Sequence, residues 1–417
     1  MIQSVKMGMQ LLEFSLDEKN SLGTLIPNQT DEILKEEIEL KRAMENPIHS
    51  ERLCNIVSKG EKVVIITSDI TRPMPSEKVL PFVLEELHLG GVNKENITIV
   101  LALGSHRKHT ETEMKKLVGE AVYDEYTVID SDMGNCVNLG TCRNGTPVDI
   151  FEPVVKADRI VCLGNVEYHY FAGYSGGAKA IMPGVSSHEA IQANHSNMVK
   201  VEAHTGNLTT NPVRQDIDEV GQFIKIDFIL NVVINSKKEI LKAYSGNYID
   251  AHREACNYLD RLYKIKLIAP ADVVIVSAGG YPKDINLYQA QKALDNAKHA
   301  VKKGGIIIWV ASCKEGFGEK TFENWMLNKT PHQMIQDIKE SFVLGGHKAA
   351  SIAMVLQHCK IYFVSDLEDQ LINGINLVPF KTVQDAVESA IIELGENSKV
   401  LVMPYGGSTL PMVCTEK

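Results

Sequence analysis

Paired cysteine motifs, long apolar runs, blocks of like charge and aromatic residues are all scarce in this 417-residue chain. The eight cysteines, Cys54, Cys136, Cys142, Cys162, Cys256, Cys313, Cys359 and Cys414, are scattered with no C-x-x-C pair, and several sit in apolar runs such as Val161-Cys162-Leu163. That is how a reducing compartment uses cysteine, as a small buried hydrophobe, and it argues against a disulfide scaffold or a structural zinc site. No window approaches the roughly 18 unbroken apolar residues of a spanning helix, and the segment from Met1 to Asp17 lacks the character of a leader. The expected location is therefore the cytoplasm, with no membrane partner. No run of five like charges occurs, and 43 Lys plus Arg against 53 Asp plus Glu leave a net charge of −10, which disfavours nucleic acid as a partner. A small molecule is the expected substrate.

With 44% apolar residues the chain buries a large core, and its length suits two or three domains. Short β-branched runs recur at 62–67, 96–103, 158–164, 229–234, 273–277, 305–311, 361–364 and 400–403. Most are continuously apolar, as strands buried on both faces of a parallel sheet must be. Between them, segments such as 77–89 and 287–303 carry helical spacing and end in Gly or in Lys302-Lys303-Gly304-Gly305, a helix-stop pattern. The fold class is α/β, with two domains that each hold a largely parallel sheet flanked by helices. The stretch from Tyr263 to Asp272 reads as a link, which divides the chain into 1–266 and 267–397, with 398–417 crossing back to the first domain.

Parallel sheets bind ligands beyond the C-terminal ends of their strands, so the polar residues that follow each apolar run carry the information. After the first run comes Ser68-Asp69-Ile70-Thr71-Arg72-Pro73. Arg72 is suited to clamp a carboxylate or phosphate, and Asp69 to pair with Arg72 across a turn or with a cationic ring. After the second comes Gly104-Ser105-His106-Arg107-Lys108-His109-Thr110, in which Thr110 and Glu113 form a capping box. His106 sits just before that helix start, either as a neutral base or as polar surface.

The third place runs from Gly164 to Gly184 and includes His169, Lys179 and several glycines. A Walker A reading from Gly173 fails, because Ala178 stands where the second glycine belongs and Ala180 where Ser or Thr belongs. What remains is a lysine in a glycine-rich cradle, suited to a covalent adduct with a cofactor or to neutralising a phosphate. His195 lies in a polar stretch that fits a pocket ligand, whereas His188 fits a helix start. In the fourth place, Tyr288, Gln289 and Lys292 open a helix, with Gln289 and Lys292 on one face. A lysine in a first turn opposes the helix dipole, so Lys292 meets either an anion or solvent.

Together these stretches resemble the nickel-dependent lactate racemase family over nearly the whole chain. The resemblance rests on Ser68-Asp69-x-Thr71-Arg72-Pro73, Gly104-x-His106-Arg107, the order His169, Lys179, His195, and Tyr288-Gln289-x-x-Lys292. It implies a two-domain α/β enzyme with its active site in the cleft between the domains. It also implies a nickel-pincer nucleotide, a pyridinium-3-thioamide-5-thiocarboxylic acid mononucleotide, which separate maturation proteins build and load. By similarity, Lys179 would be joined to this cofactor, His195 would ligate Ni, and Ser68, Asp69 and Tyr288 would contact the cofactor. His106 and His169 would be the acid/base pair on opposite faces of a 2-hydroxy acid whose carboxylate Arg72, Gln289 and Lys292 hold. The implied activity is a racemase or epimerase working by reversible hydride transfer, which suits a substrate whose α-hydrogen is too weakly acidic for simple deprotonation.

One departure bears on the substrate. Lactate-acting members place a tryptophan beside it in the second domain, whereas the tryptophans here are Trp309 and Trp325, and the corresponding region, Gly345-Gly346-His347-Lys348-Ala349, offers His347. A larger or more polar 2-hydroxy acid, met by His347 or Lys348, is thereby an alternative to lactate. Two other classes compete: a zinc-dependent hydrolase using His106, His169 and His195, and a phosphate-binding transferase using the Lys179 loop. The first is weakened by the absence of H-x-x-H and H-E-x-x-H spacings, the second by Ala178 and Ala180.

Overall fold

The computed structural model describes residues 1–28, 35–235 and 237–413; Cys414 lies outside them. The seven described cysteines are all unbridged. The chain divides into two compact units, Thr30–Asp260 and a second made of Met1–Gln29 with Arg261–Lys417.

The Thr30–Asp260 unit is built on a six-stranded sheet. Its strand order is Ile240–Gly246, Phe228–Ile234, Arg159–Asn165, Val63–Ser68, Ile97–Ala102 and Thr127–Asp130, and every neighbouring pair is parallel except the first. Continuous apolar runs become its central strands because both faces are covered. Val63, Ile65, Ile97, Ile99 and Val161 pack with Leu80, Val83 and Leu87 of the helix Ser76–Leu89 in one core. Each such side chain removed from water contributes about 1.5–3 kcal/mol before chain entropy is counted. The capping box forms as the sequence predicts: Thr110 accepts the Glu113 N–H, and the Glu113 carboxylate accepts that of Thr110.

The second unit carries an all-parallel six-stranded sheet in the order Val378–Phe380, Lys360–Val364, Val301–Val310, Ala271–Ser277, Val400–Met403 and Ser21–Thr24. Here the division of the chain departs from the sequence reading. The strand Val400–Met403 does not cross back to the first domain but pairs with Ala271–Ser277. The first 28 residues also belong with this unit: Ser21–Thr24 pairs beside Val400–Met403, and Val5, Phe14 and Leu16 enter the core that holds Val273 and Ile308. Hydrogen bonding decides this, since a strand joins the edge whose ladder it can complete, whatever its place in the chain.

Lys302-Lys303-Gly304-Gly305 is likewise not a helix stop. The helix Leu287–Ala297 ends earlier, and the four residues lie inside the strand Val301–Val310. They form a bulge: Ala271 pairs with Val301 but Val273 pairs with Ile306, so the extra residues loop out of register. No described helix is long and apolar enough to cross a membrane.

Candidate active site

In the Thr30–Asp260 unit the site begins at adjacent strand ends. The strand Val63–Ser68 delivers Ser68 and Asp69, and the next strand, Ile97–Ala102, leads into the loop with His106. Asp69 is buried, and its Oδ2 lies 2.7 Å from His106 Nδ1. The Thr71 hydroxyl donates to the same carboxylate at 3.0 Å and lies 3.3 Å from His106 Nδ1. Burial works against the charge of Asp69, but the hydrogen bond and charge of His106, with Arg72 and Thr71, outweigh it and hold the carboxyl below the usual aspartate range. An ionised Asp69 accepts the Nδ1–H of His106, so in the neutral ring the basic lone pair sits on Nε2. The Arg72 side chain is exposed and makes no hydrogen bond or ion pair among the described residues, so no Asp69–Arg72 side-chain pair spans the turn.

The glycine-rich stretch folds into a cradle tied from behind. Tyr168–His169 and Gly173–Tyr174 pair as a small antiparallel ribbon, and Lys179 sits in the short turn Gly177–Ala180. Arg214, fully buried, donates to the carbonyls of Ala172 and Tyr174; His252 Nε2 donates to that of Ser175; and Asn231 Oδ1 accepts the Gly177 N–H. Gly176 and Gly177 are required, since both have positive φ and a Cβ would come within 2.7 Å of Val166 at the first and 2.9 Å of the His252 ring at the second. Burial, reinforced by the charges of Arg214 and Arg72 and opposed by Glu167, pushes the Lys179 ammonium well below the usual lysine value. Two buried amide groups beside this loop, Nδ2 of Asn165 and of Asn231, have no acceptor among the described residues.

His169 and His195 meet the same aromatic ring. Phe171 packs edge-on against His169 at 4.5 Å and against His195 at 4.9 Å. His195 is buried near the end of the helix His188–Ser196, with Nδ1 3.0 Å from Asn194 Oδ1. His188 opens that helix after Ser187, which caps it. His169 Nδ1 accepts the Ala172 N–H at 3.3 Å. The Lys179 and His106 loops are also linked, because Gly184 donates to Lys179 O and Gly104 donates to Gly184 O. His106, His169 and His195 do not converge as a metal-ligand group: among the described residues the one such cluster is Cys142, Asp216 and Glu219. There Asp216 is taken up by Thr146 and Asn144, and Glu219 by Arg143.

In the second unit Asn286 caps the helix Leu287–Ala297, whose first turn carries Tyr288, Gln289 and Lys292. The side chains of Gln289 and Lys292 are exposed and make no hydrogen bond or ion pair among the described residues. Tyr288 is edge-on to Phe322 at 5.5 Å. Lys348 is buried, donates to Tyr288 O at 2.6 Å and lies 3.9 Å from the centre of its ring, while His347 accepts the Gly345 N–H. Trp309 is buried in its strand against Phe363, and Trp325 is buried in the helix Lys320–Asn328.

Residues 7–206 match the model of the lactate racemase N-terminal domain, and residues 267–410 that of the lactate racemase C-terminal domain. The chain belongs to the lactate racemase family. Lactate racemase from Thermoanaerobacterium thermosaccharolyticum is 35% identical over 388 residues, covering 90% of this chain and 91% of the relative. That from Lactiplantibacillus plantarum is 32% identical over 404 residues, covering 94% and 95%. The structure of the lactate racemase apoprotein from T. thermosaccharolyticum superposes with a TM-score of 0.88 at 33% identity, covering 99% of this chain and all of that one. The family places the chain among isomerases, as a racemase, and the α/β, two-domain reading of its sequence holds. Nothing in the sequence pointed to Arg214, Asn231 and His252 as supports of the site, whereas Thr71 stands in the Ser68-Asp69-x-Thr71-Arg72-Pro73 stretch. Arg214, Asn231 and His252 lie 35 or more residues beyond Lys179 and reach the cradle through helix and strand packing.

Proposed function

We propose that the protein interconverts the enantiomers of lactate or a related 2-hydroxy acid, using a nickel-pincer nucleotide attached at Lys179. The observation that carries this reading is the cradle itself: a lysine amine driven toward its neutral, nucleophilic form inside a loop whose backbone is fixed from behind. The donor set fits the group. A Lys179 amine whose charged form burial disfavours suits a thioamide link, and the His195 Nδ1 contact with Asn194 favours a tautomer with its lone pair on Nε2, as a metal ligand needs. The unsatisfied amides of Asn165 and Asn231 offer donors to a polar ligand, and a histidine nitrogen beside sulfur arms is a ligand set that nickel accepts. Asp69, with Ser68 and Tyr288, would lie against the pyridinium. When bound, the group would accept the substrate α-hydrogen as hydride and return it.

The chain's own residues then bind, orient and move protons. Arg72, Gln289 and Lys292 would hold the substrate carboxylate, and that their side chains make no hydrogen bond or ion pair among the described residues supports that task. His106 Nε2 would take the hydroxyl proton of one enantiomer, with Asp69 fixing the ring. His169, whose neutral ring accepts the Ala172 N–H at Nδ1 and so directs Nε2 away from that contact, would serve the oxygen of the other enantiomer from the opposite side, giving up a proton when its ring is the imidazolium. Inversion through a planar keto acid requires such a proton carrier on each face.

The test is intact mass spectrometry with nickel analysis on protein co-produced with the cofactor-maturation enzymes, beside Lys179→Ala. An adduct and nickel in the wild type alone, with racemisation of D- and L-lactate, is the expected result. No adduct under conditions that load a known lactate racemase would remove the cofactor assignment. Assays on 2-hydroxy acids with larger or polar distal groups define the substrate. A His347→Ala variant unchanged across them would remove His347 from recognition.

A further inference from the structure

Three consecutive parallel strands, Val63–Ser68, Ile97–Ala102 and Thr127–Asp130, end side by side, and one side chain spans the loops at all three ends. His109, in the loop after the middle strand, has a side chain only 1% exposed. Its Nδ1 is 2.6 Å from Oδ1 of Asp130, the last residue of the third strand, whose Oδ2 accepts the His109 backbone N–H at 2.8 Å. On its other side Nε2 is 3.1 Å from the Ile70 amide nitrogen. A backbone N–H only donates, so Nε2 is the acceptor, and Asp130 keeps the proton on Nδ1.

Ile70 is the second residue of the turn Asp69-Ile70-Thr71-Arg72, closed by Arg72 N–H to Asp69 O at 3.1 Å. That turn carries Asp69, which orients His106, and Arg72. We propose that His109 is a positioning residue: through Nε2 it pins the Ile70 amide, and so sets where Asp69, Thr71 and Arg72 meet His106. It touches neither substrate nor cofactor. The inference rests on the catalytic reading of Asp69 and His106 given above. The geometry requires an acceptor at the Nε2 position, and the Asp130 contact serves to select the tautomer that supplies it.

Two substitutions separate these contacts. His109→Gln places an amide oxygen where Nε2 lies and forfeits Asp130, whereas His109→Asn places an amide nitrogen near Nδ1 and forfeits Ile70. Racemisation by cofactor-loaded full-length protein is expected to stay within about threefold of wild type for Gln and to lose about 10- to 100-fold in kcat/KM for Asn, as outer-shell substitutions do. In unloaded protein, exchange of the Ile70 amide is expected to accelerate in Asn and stay slow in Gln, with melting temperatures of both variants recorded. A folded Gln variant as impaired as Asn, an active Asn variant, or an Ile70 amide indifferent to Asn would each overturn the proposal. The exchange measurement needs no turnover, so a wild type without racemase activity would count against the function and leave the anchor separately decided.

Discussion

The residues proposed to do chemistry and those proposed to hold the substrate are built differently. His106 is fixed by Asp69 and Thr71, and the Lys179 loop by Arg214, His252 and Asn231. The side chains of Arg72, Gln289 and Lys292 protrude with no hydrogen bond or ion pair to a described residue. A proton carrier gains from a fixed ring and tautomer, since misplacement by an ångström costs rate. A carboxylate clamp gains from donors left unsatisfied until the ligand arrives, because a donor already paired must first be released.

The largest expected effect is at Lys179: Lys179→Ala should carry no adduct and show racemisation at background, read by mass and by polarimetry. Next is Asp69→Asn, which keeps the shape but removes the charge that fixes His106; kcat should fall by ~100- to 10,000-fold. Lys292→Ala or Arg72→Ala should raise KM about 10- to 100-fold, the worth of one charge-assisted hydrogen bond, with a smaller change in kcat. If the Lys292 change appeared mainly in kcat, the division between pinned and poised residues would fail.

Stability sharpens the same contrast. Arg214→Met removes the buried side-chain donors to the Ala172 and Tyr174 carbonyls and should cost about 2–5 kcal/mol in denaturant unfolding, whereas Lys292→Ala should stay within about 0.5 kcal/mol. The smallest effect concerns pH. Because the folded-state pKa of Asp69 lies below its unfolded value of 3.8, its contribution is fully present above that value and is lost as pH falls through the lower folded one. The difference in melting temperature between wild type and Asp69→Asn should therefore shrink as the pH is taken below about 4.

Much of this was legible in the chain. The eight apolar runs each correspond to a strand, because a strand buried on both faces must be apolar throughout. Thr110 and Glu113 specify a helix start locally, and Gly90 a stop. The strands that escaped notice, such as Ser21–Thr24, Thr127–Asp130 and Val378–Phe380, are short or partly exposed, so their patterns are weak. Arg72 and Asp69 read equally well as partners across a turn, and sequence had no means of choosing His106 as the partner instead.

By itself the sequence determined the α/β class, the strand-end loops and the residue types within them, because periodicity, capping and glycine placement act over a few neighbours. Tertiary structure alone decided that the two chain ends share one sheet, that Arg214 and His252 stand behind the Lys179 loop, and that Asp130, His109 and Ile70 form a line. Those choices depend on which ladder is completed and which buried donor finds an acceptor, and the groups that settle them lie tens to hundreds of residues apart.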